Sequence, residues 1–309
     1  MYKRVSTALQ STAFRLLLSS FALAWISVSL YGHWPALADA ASSNLALLLW
    51  GMLLVIPLAI LNLFCESKKW IVLLGARDLS IRQAFLQVLS GMCSAFVTPN
   101  RIGDVAGRMT LLPRAYHKHA AGSAIAGSIL QVSLTAFFGC LGLLLFPLWP
   151  EGVFAFEHLY PALVGISLAF ALLFALRRPF KAYVNALLRH FGYLFSLPLP
   201  SIRSAFLWAL ARYAIFSTQF VLLLFLLGFT GSWWQAYAGV CLLFACQSMV
   251  PGAAFGELGV REVLAVFFFG AFLPHPLMAI VAGLLLWMSN IALPVLCGVG
   301  VLGLSLHHD

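Results

Sequence analysis

The sequence predicts an all-α integral membrane protein with six spanning helices and two re-entrant hairpins arranged as an inverted repeat. Three observations carry that reading. Of the 309 residues, 62% are hydrophobic and 9% charged, with a mean hydropathy of +0.99, whereas an ordinary soluble domain carries about 25% charged residues. The apolar excess runs along the whole chain and shows no period-two alternation, so helices are expected and an outer-membrane barrel is excluded. Two apolar regions, finally, are broken by near-copies of one charged motif. A soluble enzyme on a single anchor does not fit this pattern, and the whole of 1–309 reads as one transmembrane domain.

Apolar stretches of about the 20 residues needed to cross a bilayer lie at 14–31, 44–64, 121–147, 159–176, 204–227 and 277–302. The broken regions are 83–112 and 235–272. Orientation follows from Lys and Arg in short loops. Lys3, Arg4 and Arg15 mark the N-terminus as cytoplasmic, Lys68, Lys69, Arg77 and Arg82 mark 65–82, and Arg177, Arg178, Lys181, Arg189 and Arg203 mark 177–203. The 32–43 and 148–158 loops contain Asp39, Glu151 and Glu157 without Lys or Arg, and 228–234 is uncharged, so these sides face out.

Parity then constrains the broken regions. Residues 83–120 must enter and return on the cytoplasmic side, and residues 235–272 must dip in from outside. The chain divides into halves, 1–147 and 159–303, each read as span, span, re-entrant hairpin, span, with opposite orientation. Both termini are expected in the cytoplasm. Residues 1–40, with a basic start and the segment ALADA, also resemble a secretory signal; the first span's counterpart at 159–176 favours its retention.

The first hairpin tip reads FVTPNRIGDVAGRM and the second MVPGAAFGELGVREV. Pro99, Gly103-Asp104 and Arg108 correspond to Pro251, Gly256-Glu257 and Arg261, at spacings of 152 or 153 residues. Pro ends each arm, because it lacks the N–H and disfavours helix at the residue before it. Gly permits a tight reversal. Helix restarting at Gly103 or Gly256 exposes free N–H groups suited to a phosphate or carboxylate. Asp104 to Arg108 and Glu257 to Arg261 are i,i+4 pairs. The acids either cap their own helices and clamp the Arg, a structural role, or take part in substrate or proton handling. Arg101 and Glu262 have no counterpart in the opposite copy and suit a role that differs between the faces.

Arg212 falls inside the span at 204–227, where an Arg at the bilayer centre costs about 2.5–3.5 kcal/mol on insertion scales. It is expected to pair in the interior or to snorkel, with Tyr213 nearby and Gln219 seven residues on along the same face. Asn62, Glu66 and Lys69 share one face near the cytoplasmic end of the second span; an interfacial anchor with Trp70 is the alternative reading. Gln131 and Asn290, in the spans after each hairpin, either close the site from the other side or serve as helix-to-helix glue. The six cysteines show no metal-ligand spacing and read as small buried residues. The scattered histidines assemble no zinc-like set, and no metal or cofactor is expected.

The TPNRIGD tip with its Arg, the PGAAFGELGVRE tip, the RY span with its Gln, and the WMSN ending with its Pro together resemble the flippase-like family that includes the transmembrane region of lysylphosphatidylglycerol synthases. The resemblance covers nearly the whole chain. It implies a bacterial inner-membrane protein handling an anionic or phosphate-bearing lipid, with translocation between leaflets as the leading activity. Familiar two-part members carry a soluble aminoacyl-transfer domain after the membrane region; this chain stops at Asp309, and aminoacyl-lipid synthesis is not expected. The second tip reads GAAFGELGVRE where the family more usually has a compact Gly-Gly run.

The leading expectation is therefore a lipid translocase. A phosphate crossing hydrocarbon faces a large desolvation cost, and Arg offers a fork suited to its oxygens. The TPNR tip with Asn100 and Arg101, together with Arg108, Arg212 and Arg261, would receive the phosphate, and Asp104, Glu257 and Glu262 would balance the empty site or carry protons. Pro99, Gly103, Pro251, Gly256, Gln131, Gln219 and Asn290 would support them. Two alternatives remain: a membrane-embedded enzyme on a lipid-linked substrate, using Glu257 and Glu262 as acid and base, and a non-catalytic partner of a cell-envelope enzyme. The first lacks a paired-Glu protease motif, a Ser-His set or a metal cluster. A second copy of the chain is compatible with all three. The formal net charge is +9, but the seven charged residues expected at membrane depth (Arg101, Asp104, Arg108, Arg212, Glu257, Arg261 and Glu262) sum to +1. The rest is loop basicity that sets orientation, so no nucleic-acid partner is implied.

Overall fold

The structure is a computed structural model and describes residues 31, 34–76, 78–98, 103–145, 197–249 and 254–304, with side chains from Ala46 onward in the first helix and from Val260 onward in the helix at 254–269. Among the described residues every regular element is helical and none is a strand. Four helices are long and apolar enough to cross a membrane: Ala46–Leu74, His119–Leu145, Leu199–Leu226 and Leu277–Leu302. They match four of the six expected spans. The expected spans at 14–31 and 159–176 lie outside the described residues.

Helix α1 runs Trp34–Leu74, which corrects two expectations. The outer loop at 32–43 is helical from Trp34, since Pro35 sits in the first turn, where a missing N–H costs nothing, and ALADA continues the helix with good formers. The loop at 65–82 is helical as far as Leu74. Its charges do not end the helix because Lys69 pairs with Glu66 one turn away and Glu66 also meets Arg108 and Arg212 from other helices, as set out below.

The chain turns at Gly75, where φ is +68°, a left-handed conformation that glycine adopts without strain. Tyr116 donates to the Asp78 carboxylate, which holds that carboxyl below its ordinary range and pushes the Tyr116 hydroxyl above its own. Helix α2, Ile81–Val97, begins with a capping box in which the Gln83 N–H donates to Ser80 Oγ at 3.2 Å and the Ser80 N–H donates to Gln83 Oε1 at 3.0 Å.

Helix α3, Gly103–Thr110, returns antiparallel along α2. Thr98 Oγ1 accepts from the Gly103 N–H at 2.7 Å and Ser90 Oγ donates to the Gly107 carbonyl at 2.7 Å. Glycine is required at both Gly103 and Gly107, because a Cβ there would overlap the Ser94 and Ser90 carbonyl oxygens. Lipid gives helices no hydrophobic reason to associate, so close backbone approach through small residues supplies the contact. A 3₁₀ turn at Arg114–Tyr116 then leads into α4, His117–Leu145.

Helix α5, Leu199–Leu226, lies along α1. Helices α6, Trp233–Met249, and α7, Ala254–Phe269, form the second pair. Their outer ends are tied where the Thr230 N–H donates to the Phe272 carbonyl at 2.9 Å. A second capping box opens α6: the Ser232 N–H donates to Gln235 Oε1 at 2.8 Å and the Gln235 N–H to Ser232 Oγ at 3.4 Å. Helix α6 starts and ends 152 positions beyond α2, both are 17 residues long, and the two Ser-x-x-Gln boxes are offset by the same 152.

The last span joins α8, Leu277–Trp287, to α9, Leu293–Leu304, through a π turn at Met288–Ala292. Pro294 lacks the N–H that would bond Asn290 and its ring crowds that carbonyl; the Leu293 N–H reaches back to Met288 O, the wider π spacing. The main core lies among α5 to α8, centred on Phe220, Leu224, Leu243, Phe269 and Leu286. A smaller one joins α2 to α8 and α9 through Cys93, Phe96, Trp287 and Val295.

Candidate functional site

The site grows from one face of α1. Asn62, Glu66 and Lys69 recur at i, i+4 and i+7, so they share a stripe. That stripe is internal: the three residues are 5%, 6% and 3% exposed, and the interfacial-anchor reading does not hold. Glu66 is the hub. Its Oε1 accepts from Arg108 Nη2 at 3.0 Å, and its Oε2 accepts from Arg212 Nη1 at 2.6 Å and pairs with Lys69 Nζ at 2.7 Å.

Each cation is held by a second contact. Arg108 donates from Nε to Asp104 Oδ1 at 3.0 Å and pairs through Nη2 with Oδ2 at 2.9 Å, the forked geometry that makes such pairs strong. Its guanidinium lies 4.7 Å from the centre of the Trp70 ring, a favourable quadrupole contact. Gln87 fixes that ring by accepting from the indole N–H at 2.9 Å. Lys69 also donates to the Gly127 carbonyl at 3.4 Å, and the absent side chain at Gly127 leaves room for it. Arg212 donates from Nε to Asn62 Oδ1 at 2.8 Å, and Asn62 donates to Asn290 Oδ1 at 3.2 Å. Asn290 sits in the π turn, whose wider spacing leaves the backbone free to place it.

Three cations and two carboxylates leave the network at a net charge of +1. Its centre is sealed and its ends are not: the Glu66, Lys69 and Arg108 side chains are 4–8% exposed, against 24% for Asp104 and 29% for Arg212. Uncompensated charge in low dielectric is costly, so the arrangement attracts an anion, and Arg212 is the cation such an anion can reach.

The expected residues distribute as follows. Asp104, Arg108, Arg212 and Asn290 meet in this network, and Asp104 acts as a clamp on Arg108 while Thr98 accepts from the first N–H of α3. Gln219 lies on the Arg212 side of α5 and also faces α1, but its Nε2 donates to the Val55 carbonyl at 2.9 Å. Gln131 is not among the groups bonded to the network, and its Oε1 is buried with no partner. Gly103 forms the close contact with Ser94 described above.

Arg261 and Glu262 form a pair of their own, Nη2 to Oε1 at 2.8 Å, both at most 5% exposed. The expected i,i+4 partner of Arg261 was Glu257; its partner among the described side chains is the adjacent Glu262. Arg261 Nε and Glu262 Oε2 are buried and have no partner among the described residues. Gly283 of α8 faces them, and a Cβ there would lie 3.3 Å from Glu262 Oε1 and 3.4 Å from Arg261 Nε. Pro99, Asn100, Arg101 and Pro251 lie outside the described residues, and Gly256 and Glu257 are described only as backbone of α7.

Among the functional candidates, sequence reasoning gave Glu66 no central role. The signal available was its spacing from Asn62 and Lys69 on an otherwise apolar helix. No family model, no curated protein and no solved structure matches the chain. What the fold and the site define is a multi-helix membrane protein with a buried, cation-rich polar network.

Proposed function

We propose that this protein is a lipid translocase that moves an anionic or phosphate-bearing lipid between the leaflets of a bacterial inner membrane. The observation that carries the proposal is the network around Glu66: an excess positive charge within the apolar helices, closed in the middle and accessible at Arg212. A phosphate entering from the bilayer would exchange its hydration for the Arg212 fork while the acyl chains remained in lipid. Asn62 and Asn290 would orient it, and Arg108 would supply further positive potential from behind Glu66. In this reading Arg101 and Arg261 are additional phosphate ligands, and Asp104, Glu257 and Glu262 balance or discharge the empty site.

The reading further takes α2–α3 and α6–α7 as re-entrant hairpins entering from opposite faces, with both termini cytoplasmic and the halves 1–147 and 159–303 rocking to give alternating access. The equal lengths of α2 and α6 and their capping boxes 152 positions apart support an internal repeat. Five residues of the network, Asn62, Glu66, Lys69, Asp104 and Arg108, belong to α1 and α3, whereas Arg212 and Asn290 come from the other half, so these contacts would break and re-form during rocking.

The test is transport in proteoliposomes. The Arg108→Ala and Arg261→Ala variants, purified and shown to be folded, are expected to move a labelled anionic lipid at least about tenfold more slowly than the parent, a loss of about 1.4 kcal/mol. Rates equal to the parent in both variants would overturn the proposal.

A further inference from the structure

Building on the lipid reading, we infer that the site selects its ligand by charge number: it takes a headgroup bearing one negative charge, a phosphodiester without a cation of its own, and discriminates against both a dianionic phosphomonoester and a zwitterion.

The argument is a charge balance at a buried place. Among the described residues Glu66 is shared by Lys69, Arg108 and Arg212, and Asp104 is held by Arg108, so the five groups in mutual contact, each counted in its ordinary charged form, sum to +1. Both oxygens of Glu66 and both of Asp104 are already engaged. The surplus is therefore a property of the whole cluster, and it emerges at Arg212, the more exposed end at 29%. A phosphodiester docked on Arg212 brings the assembly to neutrality. A phosphomonoester, doubly charged well above its second pKa of about 6, would leave one negative charge in surroundings that penalise it. A zwitterionic headgroup carries its own ammonium and leaves the surplus cation uncompensated. Asn62 and Asn290 beside Arg212 add neutral donors and acceptors, which shape the site without altering the balance.

Charge number also explains the placement of Asp104. It is the one acid of the cluster with substantial exposure, 24%, so its carboxylate can be neutralised by substitution without leaving a sealed void. Replacing it with Asn keeps the shape and raises the sum to +2. Replacing Arg212 with Gln lowers the sum to zero.

The experiment uses the full chain in nanodiscs containing phosphatidylglycerol, phosphatidic acid and phosphatidylethanolamine in equal amounts at roughly pH 9, above the second phosphate pKa of about 6. Lipids that remain on the protein are identified by native mass spectrometry. The parent is expected to retain phosphatidylglycerol over phosphatidic acid by roughly tenfold, a small part of what two unit charges about 4 Å apart exert at intermediate dielectric. Asp104→Asn should shift that ratio toward phosphatidic acid by a similar factor, and Arg212→Gln should abolish retention of both anions. Thermal unfolding of each variant checks that it is folded, and because the two changes act at opposite ends, either alone can decide the matter.

A parent that prefers phosphatidic acid, or a ratio unmoved by the folded variants, would overturn the charge rule and leave the anionic-lipid reading standing. Retention of phosphatidylethanolamine alone would overturn both. A water-soluble glycerophosphodiester competitor separates the sources of the headgroup. If the lipid stays bound against it, the ligand is a lipid; if it is displaced, the free headgroup suffices, and either result upholds selection by a single charge.

Discussion

Arg108 and Arg261 occupy corresponding places in the two helix pairs, 153 positions apart, yet their surroundings are opposites. Arg108 has two carboxylates and an aromatic face, and its contacts extend through Glu66 of α1 to Arg212 of α5. Arg261 has one described carboxylate, its own neighbour in sequence, and the pair contains two buried atoms without partners among the described residues. One motif has thus produced both a satisfied network and a frustrated pair. An unpaired buried polar group costs about 1–3 kcal/mol, so the second pair loses stability that the first retains.

The sharpest way to break this contrast is at the hub. Glu66→Gln leaves Lys69, Arg108 and Arg212 facing one another, and is expected to destabilise by about 3–5 kcal/mol, the usual result of removing one partner from a buried ion pair. Thermal unfolding in detergent measures it; if Glu262→Gln cost as much, the two sites would not differ in kind. The complementary change is the double variant Arg261→Met with Glu262→Leu, which replaces the frustrated pair by apolar side chains. It should be neutral or more stable by about 1–4 kcal/mol, while transport falls. A clear loss of stability would mean that the orphaned atoms find partners in the membrane. The smallest effect tests the structural equivalence of the pairs: Ser80→Ala and Ser232→Ala should each cost about 1 kcal/mol through loss of a cap, with equal shifts supporting the repeat and unequal ones arguing against it.

That each broken region holds two shorter helices was legible, because Pro and Gly punctuate backbone conformation locally. Residues 83–112 contain most of α2 and all of α3, and 235–272 most of α6 and all of α7. The four helices long and apolar enough to cross a membrane were also found, three of them with ends displaced by a few residues. The extent of α1 was not legible. Hydropathy counts each charge by itself, and Glu66 and Lys69 made 65–82 look like a loop, whereas Lys69 is offset by Glu66, and Glu66 in turn by Arg108 and Arg212, 42 and 146 positions away. Pairing over that distance leaves no local trace. The Ser-x-x-Gln boxes were visible in principle, at the same 152-residue offset as Pro99 and Pro251, and could have defined the start of both pairs. The Arg261–Glu262 pairing was hidden for a different reason, since the i,i+4 rule points to Glu257 and says nothing of an immediate neighbour.

The π turn at Met288–Ala292 gives the last span two addresses. A residue added to one turn advances the angular phase of everything after it by about 100°, the step of one residue in an α-helix. Before the turn the helix presents Gly283 to Arg261 and Glu262; after it, the helix presents Gly298 to Leu89 and Cys93 of α2. A single rod therefore serves both helix pairs at different azimuths, with Asn290 at the point where the phase changes.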